Sequence, residues 1–269
     1  MDGLQKLRMI TYLTPGMPIG FYNGLATYLG DALKAKVTVD EVAGCSGPTT
    51  VGRDPLSRRE ADLAFLSSPS YLWLKNIKPS PVELLGAAPV FQDSRYGGRP
   101  ETFCEIVVPD DGSFDTFEDL EGCLWGYTDL QSLTGYYGVL RKLESLQSEH
   151  FFSGNLGTGS EQQSLKLLAE GELDMAPIDA NMLRIARREN PELQTELKVL
   201  ESLGPYPIQP IVVRTGLPVE AKRAIEEALL KMGSTPKGRA LLDPWGCSGF
   251  AAPDEADYSS EKLLAHYGP

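Results

Sequence analysis

Two hydrophobic periods alternate along this chain, and each change of period marks an element. Leu7–Leu13 is a β-rich apolar run that ends at Thr14-Pro15-Gly16, a turn signal. Phe21, Leu25, Tyr28, Leu29, Ala32 and Leu33 then fall at helical spacing. Val37–Val42 alternates as a strand. Asp62–Leu66 predicts a strand that leads into Ser67-Ser68-Pro69, a helix start with proline just inside. A further strand is expected within Val82–Phe91, a loop over the polar stretch 93–100, and a strand over Phe103–Val108. Phe117–Leu120 reads as a short helical turn and Cys123–Tyr127 as a short strand. Asp129–Thr134 leads into a helix over Tyr136–Leu146. Helices over Ser160–Ala169, closed by Gly171, and over Asn181–Arg188 flank a strand at Leu173–Ile178. Leu197–Leu203 and Ile208–Arg214 are strands. Ala221, Ala224, Ile225, Ala228, Leu229 and Met232 give the next helix one buried face.

Strands alternating with helices predict an α/β architecture of largely parallel sheets covered on both faces. The number of elements suits two lobes better than one sheet. Gly204-Pro205-Tyr206-Pro207-Ile208-Gln209-Pro210 is the best hinge or crossover segment, because its prolines stiffen extended backbone.

Charge narrows the partners. Lys and Arg number 25 against 37 Asp and Glu, a net charge of −12. That balance repels a phosphate backbone, so nucleic acid is not an expected partner. With 269 residues and 42% hydrophobic positions the chain can bury a substantial core. No apolar run approaches the roughly 20 residues that cross a bilayer. Met1–Leu7 carries no basic segment, apolar segment or cleavage site of a leader. The expectation is therefore a periplasmic or extracellular protein if a leader was removed, and otherwise a cytoplasmic one. Cys45, Cys104, Cys123 and Cys247 form no CxxC, and only His150 and His266 could join them, so no zinc site and no cofactor are expected. Buried free thiols are the simplest reading.

The strongest local chemistry is Asp129-Leu130-Gln131-Ser132-Leu133-Thr134-Gly135-Tyr136, between a strand end and a helix start. Ser132 and Thr134 supply hydroxyls, Gly135 permits close approach, and a helix start offers unpaired N–H groups to an anion. Against this stands the plain alternative that Ser132 is only a helix cap. Ser67 and Ser68 repeat the logic after another strand. Asp174 and Asp179 flank a strand end and could form a general acid/base pair; the favoured expectation is that Asp179 caps a helix and Asp174 is a solvated edge residue. Arg184, Arg187 and Arg188 read as a solvated face, and Trp73 and Trp125 as core. No GxGxxG, P-loop, GxSxG or HExxH is present, so no enzyme is expected.

Four stretches together resemble the phosphate/phosphite/phosphonate-binding proteins of ABC transporters, the PhnD-like branch of type II periplasmic binding proteins. Glu118–Cys123 followed by Asp129–Gly135 is similar to the family's D-L-x-G strand and D-P-x-S-T-S-G turn. Gly159-Ser160-Glu161 through Ala176 resembles its helix and G-x-V-D-x-A strand. Gly204–Pro218 resembles its hinge strand, and Ala61–Phe65 its V-D-I-A-W strand. The resemblance implies two α/β lobes, 1–104 with 207–269 and 105–206, joined by two crossover strands around a ligand cleft that closes by hinge motion. It implies a small anionic solute, a membrane transporter component as partner, and a monomer. Ser132, Thr134 and Gly135 would hold the anionic head, with Leu133 where the family often has a hydroxyl. A pocket tyrosine falls at Thr102, with Tyr96 as substitute; the first lobe's tyrosine falls at Thr50, and a histidine at Ser160. Two acids that hold the ammonium of aminoethylphosphonate fall at Asn181 and Gln209, which removes its charge partners. The competing readings are an intracellular enzyme on this scaffold, similar to menaquinone- or pyrimidine-pathway proteins, and a ligand sensor.

Overall fold

The computed structural model describes residues 4–12, 17–42, 47–48, 54–148 and 150–264. Thr50, Cys45, His266 and the Thr14-Pro15-Gly16 turn lie outside them. The chain divides into two compact units. One comprises Met1–Glu101 with Pro207–Ser259, and the other Thr102–Tyr206 with Ser260–Pro269. Residues 260–264 thus group with the middle of the chain, whereas the resemblance implies that they belong with the first lobe.

The first unit opens with strand β1 (Lys6–Thr11), helix α1 (Ile19–Leu33) and strand β2 (Lys36–Glu41). Then come β3 (Leu63–Phe65), α2 (Ser68–Asn76), β4 (Val82–Leu84) and β5 (Ala88–Phe91). The single strand expected within 82–91 is two, because Gly86 breaks it and its N–H donates to Glu226 at 2.8 Å. β6 (Glu101–Pro109) carries the chain into the second unit. There follow β7 (Leu124–Tyr127), a π-helical turn (Leu133–Tyr137), α3 (Gly138–Ser145), β8 (Gly154–Gly157) and α4 (Glu161–Ala169). β9 (Ala176–Asp179), α5 (Ala180–Glu189), α6 (Leu193–Glu196) and β10 (Leu197–Pro207) complete it, and β10 returns the chain to the first unit. The last major elements are β11 (Ile211–Arg214), α7 (Val219–Met232), α8 (Pro236–Leu242) and β12 (Cys247–Ala251).

The main sheet of the first unit has the order β2-β1-β3-β11-β4. β1 is parallel to β2 and β3, but β11 runs antiparallel to both β3 and β4. The expected largely parallel sheet is therefore mixed. Among the described residues a second sheet, β12 antiparallel to β5, lies apart. Its strand β12 escaped the sequence reading because Cys-Ser-Gly-Phe-Ala holds a glycine mid-strand, at φ 151°, which weakens any strand signal. α7 buries the expected face at Ala221, Ile225, Leu229 and Met232.

One carboxylate ties together three strands of this unit. Asp62, only 5% exposed, receives the Arg8 backbone N–H at 3.0 Å and both Arg8 Nε and Nη2 at 3.1 Å. Arg214 Nε donates to its Oδ1 at 2.9 Å. The knot joins β1, the start of β3 and β11, three strands from distant parts of the chain. Burial pushes this carboxyl's pKa up, but Arg8 and Arg214 outweigh that and hold it below its usual value.

In the second unit the sheet order is β10-β6-β9, with β6 antiparallel to β9. β7 and β8 pair in parallel, and a parallel bridge from Trp125 to Met175 aligns β7 with the approach to β9. The core gathers Phe117, Trp125, Val139, Phe151 and Met175. Trp125 lies here, 3% exposed, as expected, stacked on Tyr136 with ring centroids 5.8 Å apart. Trp73, by contrast, is only partly buried in the other unit. Cys104, Cys123 and Cys247 are in no disulfide; Cys104 and Cys247 are buried, as expected, but Cys123 is only partly buried.

Candidate functional site

Parallel strands place the segments after their carboxyl ends along one edge, where α/β proteins bind ligands. In the second unit β7, β8 and β9 do this. They deliver Thr128–Gly135, Gly159–Glu161 and Asp179–Asn181 to the same edge. β6 runs the opposite way, so its first residues join them, with Cys104 opposite Asp179 in register.

The turn after β7 is built by local hydrogen bonds. The Ser132 N–H donates to Asp129 O at 3.1 Å, and the Gln131 N–H to Asp129 Oδ1 at 2.7 Å. Ser132 Oγ accepts the Gly135 N–H at 2.9 Å, so the capping reading holds. That bond uses a lone pair and leaves the hydroxyl proton to donate elsewhere. The Tyr137 N–H reaches back to Ser132 O at 3.1 Å, an i→i+5 bond. The expected α-helix therefore begins as a π turn, a widening that recurs at functional sites. Gly135 is required there: a Cβ would stand 2.4 Å from Thr128 Oγ1 and 2.7 Å from Ser132 Oγ. Ser132, Leu133 and Thr134 are all buried, Thr134 to 1% exposure.

The neighbouring edge holds an acid network. Thr102 Oγ1 donates to Asp179 Oδ2 at 2.7 Å, and Asp179 Oδ1 accepts the Asn181 N–H at 2.9 Å. Asn181 Nδ2 donates to Thr102 Oγ1 at 3.4 Å. Asp179 thus caps α5, as expected, but is fully buried. Its N–H donates to Glu161 Oε1 at 2.8 Å. Burial lifts the Asp179 pKa to about 6, against the pull of Thr102 and of the backbone N–H groups of Asn181 and Met182. Glu161, 2% exposed, is raised well above the usual range by burial and then by the Asp179 charge. The folded protein holds the Asp179 proton more tightly than the unfolded chain does. This carboxyl therefore stabilises the fold at acid pH, and that stability is lost as pH rises from about 4 towards 6. Thr102→Ala should cost about 1–2 kcal/mol in urea unfolding and move the Asp179 titration higher, read by NMR.

Two buried polar atoms on this edge have no hydrogen-bond partner in the protein: Thr128 Oγ1 and Glu161 Oε2. Each costs about 1–3 kcal/mol unless a bound group meets it. Sequence reasoning named neither as a site residue. A glutamate at the first position of a helix reads as an ordinary dipole partner, and only the fold shows it enclosed. Ser160, named instead, is half-buried and spent on capping α4 through the Gln163 N–H at 3.1 Å. Asp174 is not a solvated edge residue: its Oδ2 accepts the Leu124 N–H at 2.7 Å and ties β7 in place. Arg187 likewise leaves the expected solvated face, its Nη2 donating to Leu197 O at 2.7 Å. Arg188 is exposed and Arg184 half-buried.

The other named residues belong to the first unit. Ser67 caps α2 through the Ser70 N–H at 3.2 Å and donates to Ser70 Oγ at 2.9 Å. Ser68 is buried, and its Oγ has no partner. Tyr96 is fully buried in a short 3-10 turn, and Gln209 is buried just before β11. Ser67→Ala should cost this unit about 1 kcal/mol in urea unfolding, the worth of a helix cap.

Among the described residues no group of His, Cys, Asp or Glu could hold a metal, and no helix is long and apolar enough to cross a membrane. The "Phosphonates-binding periplasmic protein" of Escherichia coli is 26% identical over 176 residues, 62% of this chain, a match that spans about half of the relative's length. Among solved structures, a binding protein component of an ABC phosphonate transporter from Pseudomonas aeruginosa superposes with a TM-score of 0.76 at 16% identity, covering 95% of this chain and 83% of that one. PhnD1 from Prochlorococcus marinus, solved with methylphosphonate, gives 0.77 at 14% identity and 96% coverage of both. At such identities these structures establish the fold, the two-lobed type II periplasmic-binding-protein architecture. The relatives are binding proteins, and the enzyme alternative finds no support among them. The family model for the periplasmic substrate-binding protein of phosphonate ABC transporters matches residues 21–258, and the chain belongs to that family.

Proposed function

We propose that this chain is the periplasmic capture component of an ABC transporter, and that it seats the tetrahedral head of a small phosphonate or phosphate-like solute on the Ser132–Gly135 turn. The observation that carries the reading is the turn itself. It combines a buried hydroxyl cap, a buried Thr134 and a glycine that admits no Cβ, at the carboxyl end of a parallel strand. A helix start there presents N–H groups and partial positive charge to an anion. By the family resemblance Asn181 falls where relatives have an acid for an ammonium, which disfavours aminoethylphosphonate. The protein acts as a monomer and delivers its ligand to a membrane component.

A thermal-shift panel of methylphosphonate, phosphite, phosphate, sulfate and aminoethylphosphonate tests this. At about 100 times its Kd a ligand adds about 2.7 kcal/mol to stability, a readily visible shift. Methylphosphonate should be among the hits. Ser132→Ala should weaken it about 10- to 100-fold through loss of a charge-assisted hydrogen bond. A panel without any phosphonate hit, or a Ser132→Ala variant with unchanged affinity, overturns the proposal.

A further inference from the structure

The geometry points to Glu161 as a ligand-binding carboxyl: we propose that its Oε2 shares a single proton with one oxygen of the bound oxyanion. This rests on the function proposed above and adds to it a residue and a proton.

Glu161 opens α4 two residues after Gly159, whose N–H donates to Thr128 O at 3.0 Å. It therefore begins beside the strand end that leads into the Ser132 turn. The side chain is 2% exposed, and its two oxygens differ. Oε1 is committed to the Asp179 N–H at 2.8 Å. Oε2 is buried without a partner. Asp179 does not meet it: its oxygens accept from Thr102 Oγ1 and the Asn181 N–H, and no hydrogen bond joins the two carboxyls. The charges that act on Glu161 are those of Asp179 at the end of β9 and Asp129 in the loop after β7, both negative. Beyond them, Glu105 on β6 acts on Asp179, and Arg184 on α5 reaches Asn181 Oδ1 at 3.5 Å. A carboxylate so placed repels an incoming anion's oxygen unless a proton lies between them. One proton turns that repulsion into a short, charge-assisted O–H···O bond. It comes from Glu161 itself or from a singly protonated phosphonate, and the complex is the same. Burial and the Asp179 charge displace the Glu161 titration upward, which favours a proton at this position.

Binding then takes up one proton once the pH is high enough for both free partners to have lost theirs. In that range affinity falls about tenfold per pH unit. Glu161→Gln keeps an oxygen for the Asp179 N–H and sets a permanent N–H donor at the other position, so this dependence disappears. Methylphosphonate is titrated calorimetrically into wild type and E161Q between pH 6 and 9, with the unliganded melting temperature of each recorded. Wild type at pH 8.5 is repeated in two buffers of different protonation heat, which counts protons without any variant. The expected results are an uptake of about one proton, a wild-type affinity that falls above the second ionisation of methylphosphonate, and an E161Q affinity that does not fall there. No proton uptake by wild type, or superimposable pH profiles for the two proteins, overturns the role of Glu161 and leaves the proposed function standing. Failure of wild type to bind methylphosphonate at any pH overturns both.

Discussion

Gly135→Ala should lower affinity for methylphosphonate by at least about 100-fold while the rest of the second unit stays folded. The added Cβ would lie 2.4 Å from Thr128 Oγ1, 2.7 Å from Ser132 Oγ and 2.9 Å from Thr128 Cβ. Atoms do not sit that close, so either the Thr128 side chain or the Ser132 cap must move. Both hydroxyls are on the proposed binding edge. Displacing the turn forfeits at least two hydrogen bonds to a charged ligand, each worth about 1.5–3 kcal/mol, and 1.4 kcal/mol is a factor of ten. The backbone at Gly135 is not in the left-handed region, so the effect comes from crowding and not from φ. Crowding can be relieved: Thr128→Gly removes two of the three contacts, and the double variant should recover part of the lost affinity. Calorimetric titration of the two single variants and the double one checks this. Wild-type affinity in G135A would show that the turn does not hold the ligand.

The second large effect is on stability. Asp62→Ala should destabilise the first unit by about 2–4 kcal/mol, measured by urea unfolding at pH 7. Removing one partner of a buried ion pair typically costs about 3–5 kcal/mol. The lower figure allows for solvent screening of Arg8, whose side chain is 32% exposed. The loss strands two guanidinium groups and an unpaired Arg8 N–H between β1 and β11. The pH dependence follows from the direction of the Asp62 shift. Its folded pKa lies below the unfolded value, so its contribution is full above about pH 4 and is lost as pH falls through the lower folded value. The gap between wild type and Asp62→Asn should therefore narrow below pH 4. A constant gap from pH 7 to pH 3 would contradict the ion-pair account.

The two residues differ in how far the sequence announced them. Gly135 stands in a motif whose local order of hydroxyls and glycine already implies a capped turn. Asp62 is one acid before a strand, and its arginine partners lie 54 and 152 positions away.

The same division runs through the molecule. Hydrophobic periodicity and short-range capping determined where α1, α2, α4, α5 and α7 form and that Ser67, Ser132, Ser160 and Asp179 begin helices, because those effects act within four residues. The motif order along nearly the whole chain determined the family. Only the tertiary structure decided that β11 returns antiparallel to β3, that Asp174 and Arg187 are tied down, and that Glu161, not Ser160, offers an unmet oxygen beside the turn. Each of those depends on desolvation by segments far away in the chain. A side chain's chemistry is written in its own residue, but its burial and its partners are set by where the strands cross.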